Sequence, residues 1–297
     1  MPADPSTLSG PRRAGYFVGN LAARGLIGLM LALPYALRVR TMGWLVSRIL
    51  SPLAGFDRRI RDNLALACPD LPEAEVRRLC RAVPDNAGRT LIEIYSGKDF
   101  QARANAHPPQ GPGVAALTQA RDEGRPVLLV GGHLGNYDAM RANLVPRGFP
   151  MGAIYRRMAN PYFNAHYVRA METNGTPLFE QGRRGMIEMV KHLRAGGMVA
   201  ILTDLHVQDG AALTFFGQPC ATSTVTAELA LKYGALIIPF HAIRDPNGLD
   251  FTLHLNAPIP HGDPLTMSQA INDDLEAMVR RHMDQWFWIH RRWKPWY

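Results

Sequence analysis

The sequence predicts an α/β fold, a sheet flanked by helices, behind a helical and basic N-terminal region. Three observations carry that expectation. From residue 127 onward, short apolar runs alternate with amphipathic helical stretches, the pattern of a sheet with helices on its faces. Before residue 105 the periodicity is helical. Between the two, residues 105–113 (NAHPPQGPG) form a Pro/Gly break. The chain therefore divides into a helical region, 1–104, and an α/β body, 105–297.

Residues 16–37 read YFVGNLAARGLIGLMLALPYAL. The uninterrupted apolar run, 25–37, would make roughly 20 Å of helix, short of the roughly 30 Å hydrocarbon core of a bilayer. Extending it back to Tyr16 gives about 33 Å but sets Arg24 in hydrocarbon at a cost of ~2.5–3.5 kcal/mol. Arginines flank both sides (Arg12, Arg13; Arg38, Arg40, Arg48), so no positive-inside asymmetry orients a span. A helix lying in the membrane interface suits the segment best, with arginines at headgroup level and Leu, Ile and Met beneath. A buried helix, a signal peptide lacking an A-x-A site and a full span are the other readings.

Residues 41–97 continue as helices. Asp57 could cap a segment through Ile60 and Leu64, and Pro72-Glu73 opens a long amphipathic stretch with Val76, Leu79, Val83, Leu91 and Ile94 on its apolar side. In the body, strands are expected at 127–130, 152–155, 198–203, 236–243 and 251–255. Helices are expected at 137–145, 160–173, 183–194 and 222–233. A closing helix is expected at 266–290, with Ile271, Leu275, Met278, Val279 and His282 on one face.

Composition narrows the function. A 47% hydrophobic content and a mean hydropathy of −0.12 exclude a disordered chain and a multi-span membrane protein. Cys68, Cys80 and Cys220 form no close pair, which excludes a disulfide framework and a CxxC zinc site. The 33 Lys+Arg against 25 Asp+Glu give a formal charge of +8, which invites a nucleic-acid reading. Position argues otherwise: residues 1–61 and 280–297 together carry +11, and the rest of the chain carries −3. Basic ends on an acidic body suit anionic lipid or an acidic protein partner and no nucleic acid.

The segment richest in chemistry is RPVLLVGGHLGNYDAM, residues 125–140. Its apolar run is a buried strand, Gly131-Gly132 a tight turn, and Asn136 an N-cap for a helix from Tyr137. His133 then lies at the carboxyl end of a strand, where α/β sheets place ligand sites. On one helix a five-residue spacing would set two side chains about 140° apart. With His133 in the loop, the chain can fold back so that Asp138 accepts the Nδ1 proton, leaving Nε2 as a base. An aspartate in a first helical turn is also favoured by the macrodipole with no function at all. No GK[ST] follows the glycines, so this is not a phosphate-binding P-loop.

His133-x4-Asp138 within GHLGNYD is similar to the HX4D/E motif of glycerolipid-type acyltransferases. Its surroundings resemble those of the bacterial lipid A late acyltransferases, the lauroyl and myristoyl transferases. YRRMANP (155–161) resembles that family's Y-R-x-x-x-N-P block. ILTDLHVQDG followed by TFFGQPCATST resembles its Asp-containing and FFG-x-x-x-x-T blocks, and ALIIPF and QWFWIHRRWK (285–294) its last two. The resemblance covers roughly 16–297, with one departure: Asp204-Leu205 stands where the family usually has Asp-Gln.

That resemblance implies a glycerolipid-acyltransferase-like mixed sheet and transfer of an acyl chain from a thioester to a glycolipid hydroxyl. The donor would be acyl carrier protein (or acyl-CoA), and the acceptor a phosphorylated glucosamine disaccharide. The site would lie at the membrane surface, on the cytoplasmic face of a bacterial inner membrane. His133 would be the base and Asp138 its orienting partner, with no acyl-enzyme, metal or cofactor. Helix amides after Asn136 would be donors to the oxyanion. Arg156, Asp204, Tyr137 and Arg169 would contact substrate, with Arg156 on a phosphate and Arg183 a further phosphate candidate.

Three other readings compete. A basic nucleic-acid-binding protein would need a basic face with stacking aromatics. A metal-dependent hydrolase could use His133, Asp138, Asp204 and His206. Acylation of another glycolipid or phospholipid would keep the same blocks. The C-terminal WFWIHRRWKPWY suits a headgroup-level belt, an anionic partner or a cap on the core.

Overall fold

The computed structural model describes residues 9–294. The chain begins with α1 (Gly10–Leu31), opened by Pro11, which needs no intrahelical N–H partner there. Pro34 ends that run. It stands as the N-cap of α2 (Tyr35–Leu45), so the single helix expected over 16–37 is two helices. α2 passes through a π-helical turn, Val46–Leu50, into α3 (Ser51–Ala54), which stops at Gly55 with φ 66°. α4 (Phe56–Ala67) and α5 (Glu73–Tyr95) follow. Asp57 lies inside the first turn of α4 and accepts from Ser51 Oγ at 3.1 Å rather than capping the helix. α6 (Lys98–Ala104) precedes the Pro/Gly break and α7 (Gly113–Asp122) follows it.

The body runs β1 (Val127–Gly131), α8 (Asp138–Leu144), β2 (Met151–Tyr155), α9 (Pro161–Thr173), β3 (Leu178–Glu180), α10 (Arg183–Arg194) and β4 (Met198–Leu202). It continues with β5 (Ala211–Phe215), β6 (Gln218–Thr222), α11 (Val225–Tyr233), β7 (Leu236–Arg244), β8 (Phe251–Leu255) and α12 (Pro264–Arg281). Six strands form one mixed sheet in the order β3-β2-β4-β1-β7-β8, parallel except for the antiparallel β7–β8 pair. β5 and β6 form a separate hairpin. The hairpin turns at Phe216 and Gly217, both at positive φ (55° and 67°), as a two-residue turn of this hand requires.

Each face of the sheet has its own core. Leu129, Ile238 and Phe240 pack with Leu117, Met140 and Leu144 from α7 and α8. Leu128, Val130 and Ile237 pack with Met189, Leu193, Ala227 and Ile271 from α10, α11 and α12. A third cluster joins Ile60, Leu64, Leu79 and Val83 of α4 and α5 to Phe215, Leu275, Trp286 and Trp288. Residues on both sides of the Pro/Gly break therefore share one apolar cluster.

The closing helix is shorter than its periodicity predicts. α12 stops at Arg281, and the following segment folds back across the molecule. Trp286 and Trp288 are buried, and Arg292 is buried with hydrogen bonds to Ala221 O (2.7 Å) and Thr222 Oγ1 (2.6 Å). Asn63 of α4 holds this segment through Trp288 O (2.7 Å) and His290 O (2.8 Å). Of the readings open for the C-terminal aromatics, the cap on the core describes Trp286 and Trp288.

Candidate active site

The parallel strands β2, β4 and β1 are neighbours, so the loops leaving their carboxyl ends lie side by side. Arg156 follows β2, Asp204 follows β4 by two residues, and His133 follows β1 by two. The β1 loop is GGHLG, and two of its glycines are demanded by contact. A Cβ on Gly135, which has φ 61°, would lie 1.9 Å from Ala242 O; one on Gly131 would lie 2.8 Å from Phe240 O. The loop is clamped from three sides. Gly135 O accepts from Asn86 Nδ2 (3.1 Å) and Thr90 Oγ1 (3.0 Å) of α5. Asn136 N donates to Ala242 O, and Phe287 N donates to His133 O at 3.0 Å.

This clamp aims His133 at Asp204. Nδ1 of His133 lies 2.8 Å from Asp204 Oδ1, and the His133 backbone N–H donates to Oδ2 at 2.8 Å. Trp286 Nε1 donates to the same oxygen at 2.9 Å. The Asp204 side chain is 2% exposed and that of His133 is 23% exposed. Burial alone would raise the Asp204 carboxyl. The His133 charge, the two hydrogen bonds from His133 and the one from Trp286 outweigh it and hold the carboxyl at about 2. Beside the pair, burial lowers the His290 imidazole to about 4; Asp204 opposes the shift, and His133, Lys294 and Arg292 reinforce it. Neutral His290 accepts from His206 N at 3.0 Å.

Asp138 does not meet the imidazole. Its Oδ1 accepts from Arg141 Nε (2.9 Å) and Nη2 (2.7 Å), and its Oδ2 from Asn174 Nδ2 (2.7 Å). Arg141, also buried, donates onward to Met171 O at 2.9 Å and to Gly175 O. Asp138 thus ties α8 to the end of α9, and the expected His133–Asp138 pair is replaced by His133–Asp204. The physical reason is direction: α8 starts at Asp138, and its first turn points the carboxylate at its own i+3 arginine. The amides proposed as oxyanion donors are engaged too, since Asp138 N donates to Asn136 Oδ1 and Ala139 N to Asn136 O.

The exposed edge of His133 opens on a cleft of about 250 Å³. Its walls are Val83, Ala87, Leu91 and Ile94 of α5, together with Tyr137, Tyr167 and Phe287. Tyr137 stacks edge-on to His133 with ring centroids 5.1 Å apart, and its hydroxyl lies 3.5 Å from that of Tyr167. Burial raises both phenols, so they stay neutral hydrogen-bonding groups. Arg156 and Arg169 are exposed and in no ion pair among the described residues; Arg183 is exposed as well. His206 meets His290 through its backbone N–H, and no hydrogen bond joins it to His133 among the described residues.

Beneath the cleft, buried Glu93 accepts from Asn136 Nδ2 at 2.8 Å and pairs with Arg244 of β7, whose Nη2 lies 2.8 Å from Oε2. Arg244 Nε donates to Asn86 Oδ1 at 2.9 Å. Sequence reasoning missed this support from α5, although Asn86, Thr90 and Glu93 are spaced i, i+4, i+7, a polar stripe beside the apolar one. It also missed the roles of Trp286, Tyr167 and Phe287, although Trp286 and Phe287 lie within the family-like QWFWIHRRWK block.

A histidine backed by a buried carboxylate, at the carboxyl edge of an α/β sheet and facing an apolar cleft, is the equipment of an enzyme that deprotonates a hydroxyl beside a greasy substrate. The model of the family "Bacterial lipid A biosynthesis acyltransferase" matches residues 5–295, and the chain belongs to that family. It is an acyltransferase. It is 26% identical to the lipid A biosynthesis lauroyltransferase of Escherichia coli K12 over 91% of this chain and 89% of the relative. It is 24% identical to a lipid A biosynthesis acyltransferase of Haemophilus influenzae over 89% and 86%. A phosphatidylinositol mannoside acyltransferase of Mycobacterium tuberculosis is 23% identical over 80% and 78%.

Proposed function

We propose that the chain moves a fatty acyl group from an acyl-carrier-protein thioester to a hydroxyl of a lipid A precursor at the cytoplasmic face of the inner membrane. One observation carries the mechanism: the 2.8 Å His133–Asp204 pair with the imidazole edge on the apolar cleft. Asp204 accepts the Nδ1 proton and fixes the tautomer. Nε2 is left to take the acceptor's hydroxyl proton as the oxygen attacks the thioester carbonyl. The developing imidazolium is stabilised by Asp204, and the proton passes to the departing thiolate as the tetrahedral intermediate collapses. The apolar cleft takes the acyl chain. Asp138 serves as a positioning residue, and Arg156 and Arg169 meet the acceptor's phosphates.

The test is acyl transfer followed by mass spectrometry of the lipid product. His133→Ala is expected to lower the rate by about 10²–10⁴-fold in a chain that still folds, with a somewhat lower melting temperature because buried Asp204 loses a partner. A folded His133→Ala enzyme of near-normal rate would refute the mechanism. A second reading is acylation of a mannosylated phospholipid, favoured by the mycobacterial relative. Offering both acceptors in one assay separates the two.

A further inference from the structure

Exposed apolar side chains on α1 (Phe17, Val18, Leu21, Leu26 and Leu29) do not exhaust the greasy surface of this chain. α2 and the π-helical turn after it bury Val39, Met42 and Val46 against Ile27, Met30 and Ile92, which leaves the opposite side without a partner among the described residues. On that outer side Leu37, Thr41, Trp44 and Arg48 follow one another at i, i+4, i+7 and i+11. The π-helical turn at Val46–Leu50 then widens the helix by about one residue per turn. That rephasing leaves Ile49 and Leu50 exposed together beside Arg48. Trp44 is 54% exposed, Ile49 49%, Leu50 50% and Leu53, at the tip, 81%.

Basic groups border this stripe. Trp44 and Arg48 form one side of a basin of about 490 Å³, with Arg77, Arg78 and Arg81 opposite. The acids nearby are committed: Glu73 to Arg77, Glu75 to Arg78, and Asp85 to Arg89. Arg48 and Arg81 are in no ion pair among the described residues, and Arg40 and Arg58 are exposed on either side. The stripe is joined to α1 by only residues 32–34.

We infer that the outer face of residues 37–53 is a second membrane-contact element, seated on an anionic bilayer with Trp44, Ile49, Leu50 and Leu53 in the interface and the basin's arginines at lipid phosphates. Its continuity with α1 and its charge argue for this occupant. An acidic protein helix would use the arginines but leave Leu53 in water. A bilayer satisfies both, because apolar burial and basic attraction act together at an anionic surface. This goes beyond acyl transfer and stands without it. For the enzyme, two contacts along the α1–α2 corner would fix its rotation on the membrane, where α1 alone would leave it free to roll.

Trp44 is a built-in probe. The full-length protein would be mixed with vesicles containing bromine-labelled phosphatidylcholine, with and without phosphatidylglycerol, and its tryptophan emission compared with that of Trp44→Phe. A quenched component is expected that is present in the wild type, larger with phosphatidylglycerol, and absent from Trp44→Phe. The double variant Ile49→Asp/Leu53→Asp, altered only at exposed positions, should melt as the wild type does and partition to vesicles about tenfold more weakly. Equal quenching of wild type and Trp44→Phe, or wild-type partitioning by the double variant, would overturn the proposal. So would a double variant that binds vesicles normally but loses turnover only with a carrier-protein thioester, because the face would then belong to that protein.

Discussion

Burial costs Asp204 its solvation, yet the hydrogen bonds and charge of His133 keep its carboxyl near 2, so it stays ionised wherever the enzyme works. Asp138 cannot take its place, because its oxygens are filled by Arg141 and Asn174. The two aspartates should therefore fail differently. Asp204→Asn is expected to lower kcat by about 10²–10⁴-fold. Asp138→Ala is expected to cost about 3–5 kcal/mol in denaturant unfolding, because it strands a buried guanidinium. Full activity in Asp204→Asn would contradict the assignment. His290 makes a second prediction. With its folded pKa lowered to about 4, the unfolded chain takes up a proton, near the ordinary ~6.5, that the folded chain refuses. Stability from this group is complete above the ordinary value and drains as pH falls through the interval; Asp204 acts likewise at lower pH. Denaturation midpoints of the wild type should fall between about pH 7 and about pH 5, and His290→Gln should flatten that slope. The sequence exposed His133 through its strand-turn-helix setting. It pointed to Asp138, five residues on, whereas the imidazole pairs with Asp204, 71 residues away and invisible to local spacing.

The elements divide by where their information lies. Helices with a regular apolar stripe, α5 and α10, and the strongly apolar strands β1, β4 and β7 were legible from periodicity alone. β3, only three residues long, and the β5–β6 hairpin were not. The hairpin holds the bulky Phe216 at φ 55°, and its reward is tertiary: a bond from its N–H to Glu276 and the Arg280 guanidinium 4.4 Å over its ring. No local propensity announces that. α12 stopped short of its predicted end because Trp286 and Trp288 gain more as core than as a helix face. The most consequential element is α5, which supplies the apolar wall of the cleft and the polar grip on the GGHLG loop. Glu93→Ala should cost about 3–5 kcal/mol, since buried Arg244 loses its counter-charge, and urea unfolding would read it. A loss under about 1 kcal/mol would mean that water replaces the carboxylate.

For the whole molecule, the division into basic ends and an acidic body acquires a physical layout. The basic N-terminal stretch is largely surface: α1 leaves most of its apolar and charged groups exposed, and it is the one described helix long and apolar enough to cross a membrane. The C-terminal charges behave otherwise, with Arg292 sealed inside the protein and Arg291 and Lys294 outside. Counting charges could not separate those fates. α1 also reaches the body: Asn160, which caps α9 through Tyr162 N and Phe163 N, donates to Tyr16 O at 2.8 Å. A chain truncated after Arg281 should consequently retain vesicle binding through α1 while losing acyl transfer, since Trp286 and Phe287 are gone from the centre. Measurable transfer by the truncated chain would show that Asp204 needs no help from Trp286.

That last dependence also sets an order of events during synthesis. α1 is translated before the α/β body. The loop bearing His133 follows, yet its carbonyl and its aspartate wait for Phe287 and Trp286, which are translated well after it. A nascent chain thus carries its histidine long before the residues that brace it exist. A chain that stops short of Trp286 should therefore lack acyl transfer altogether and not retain part of an acyltransferase's rate.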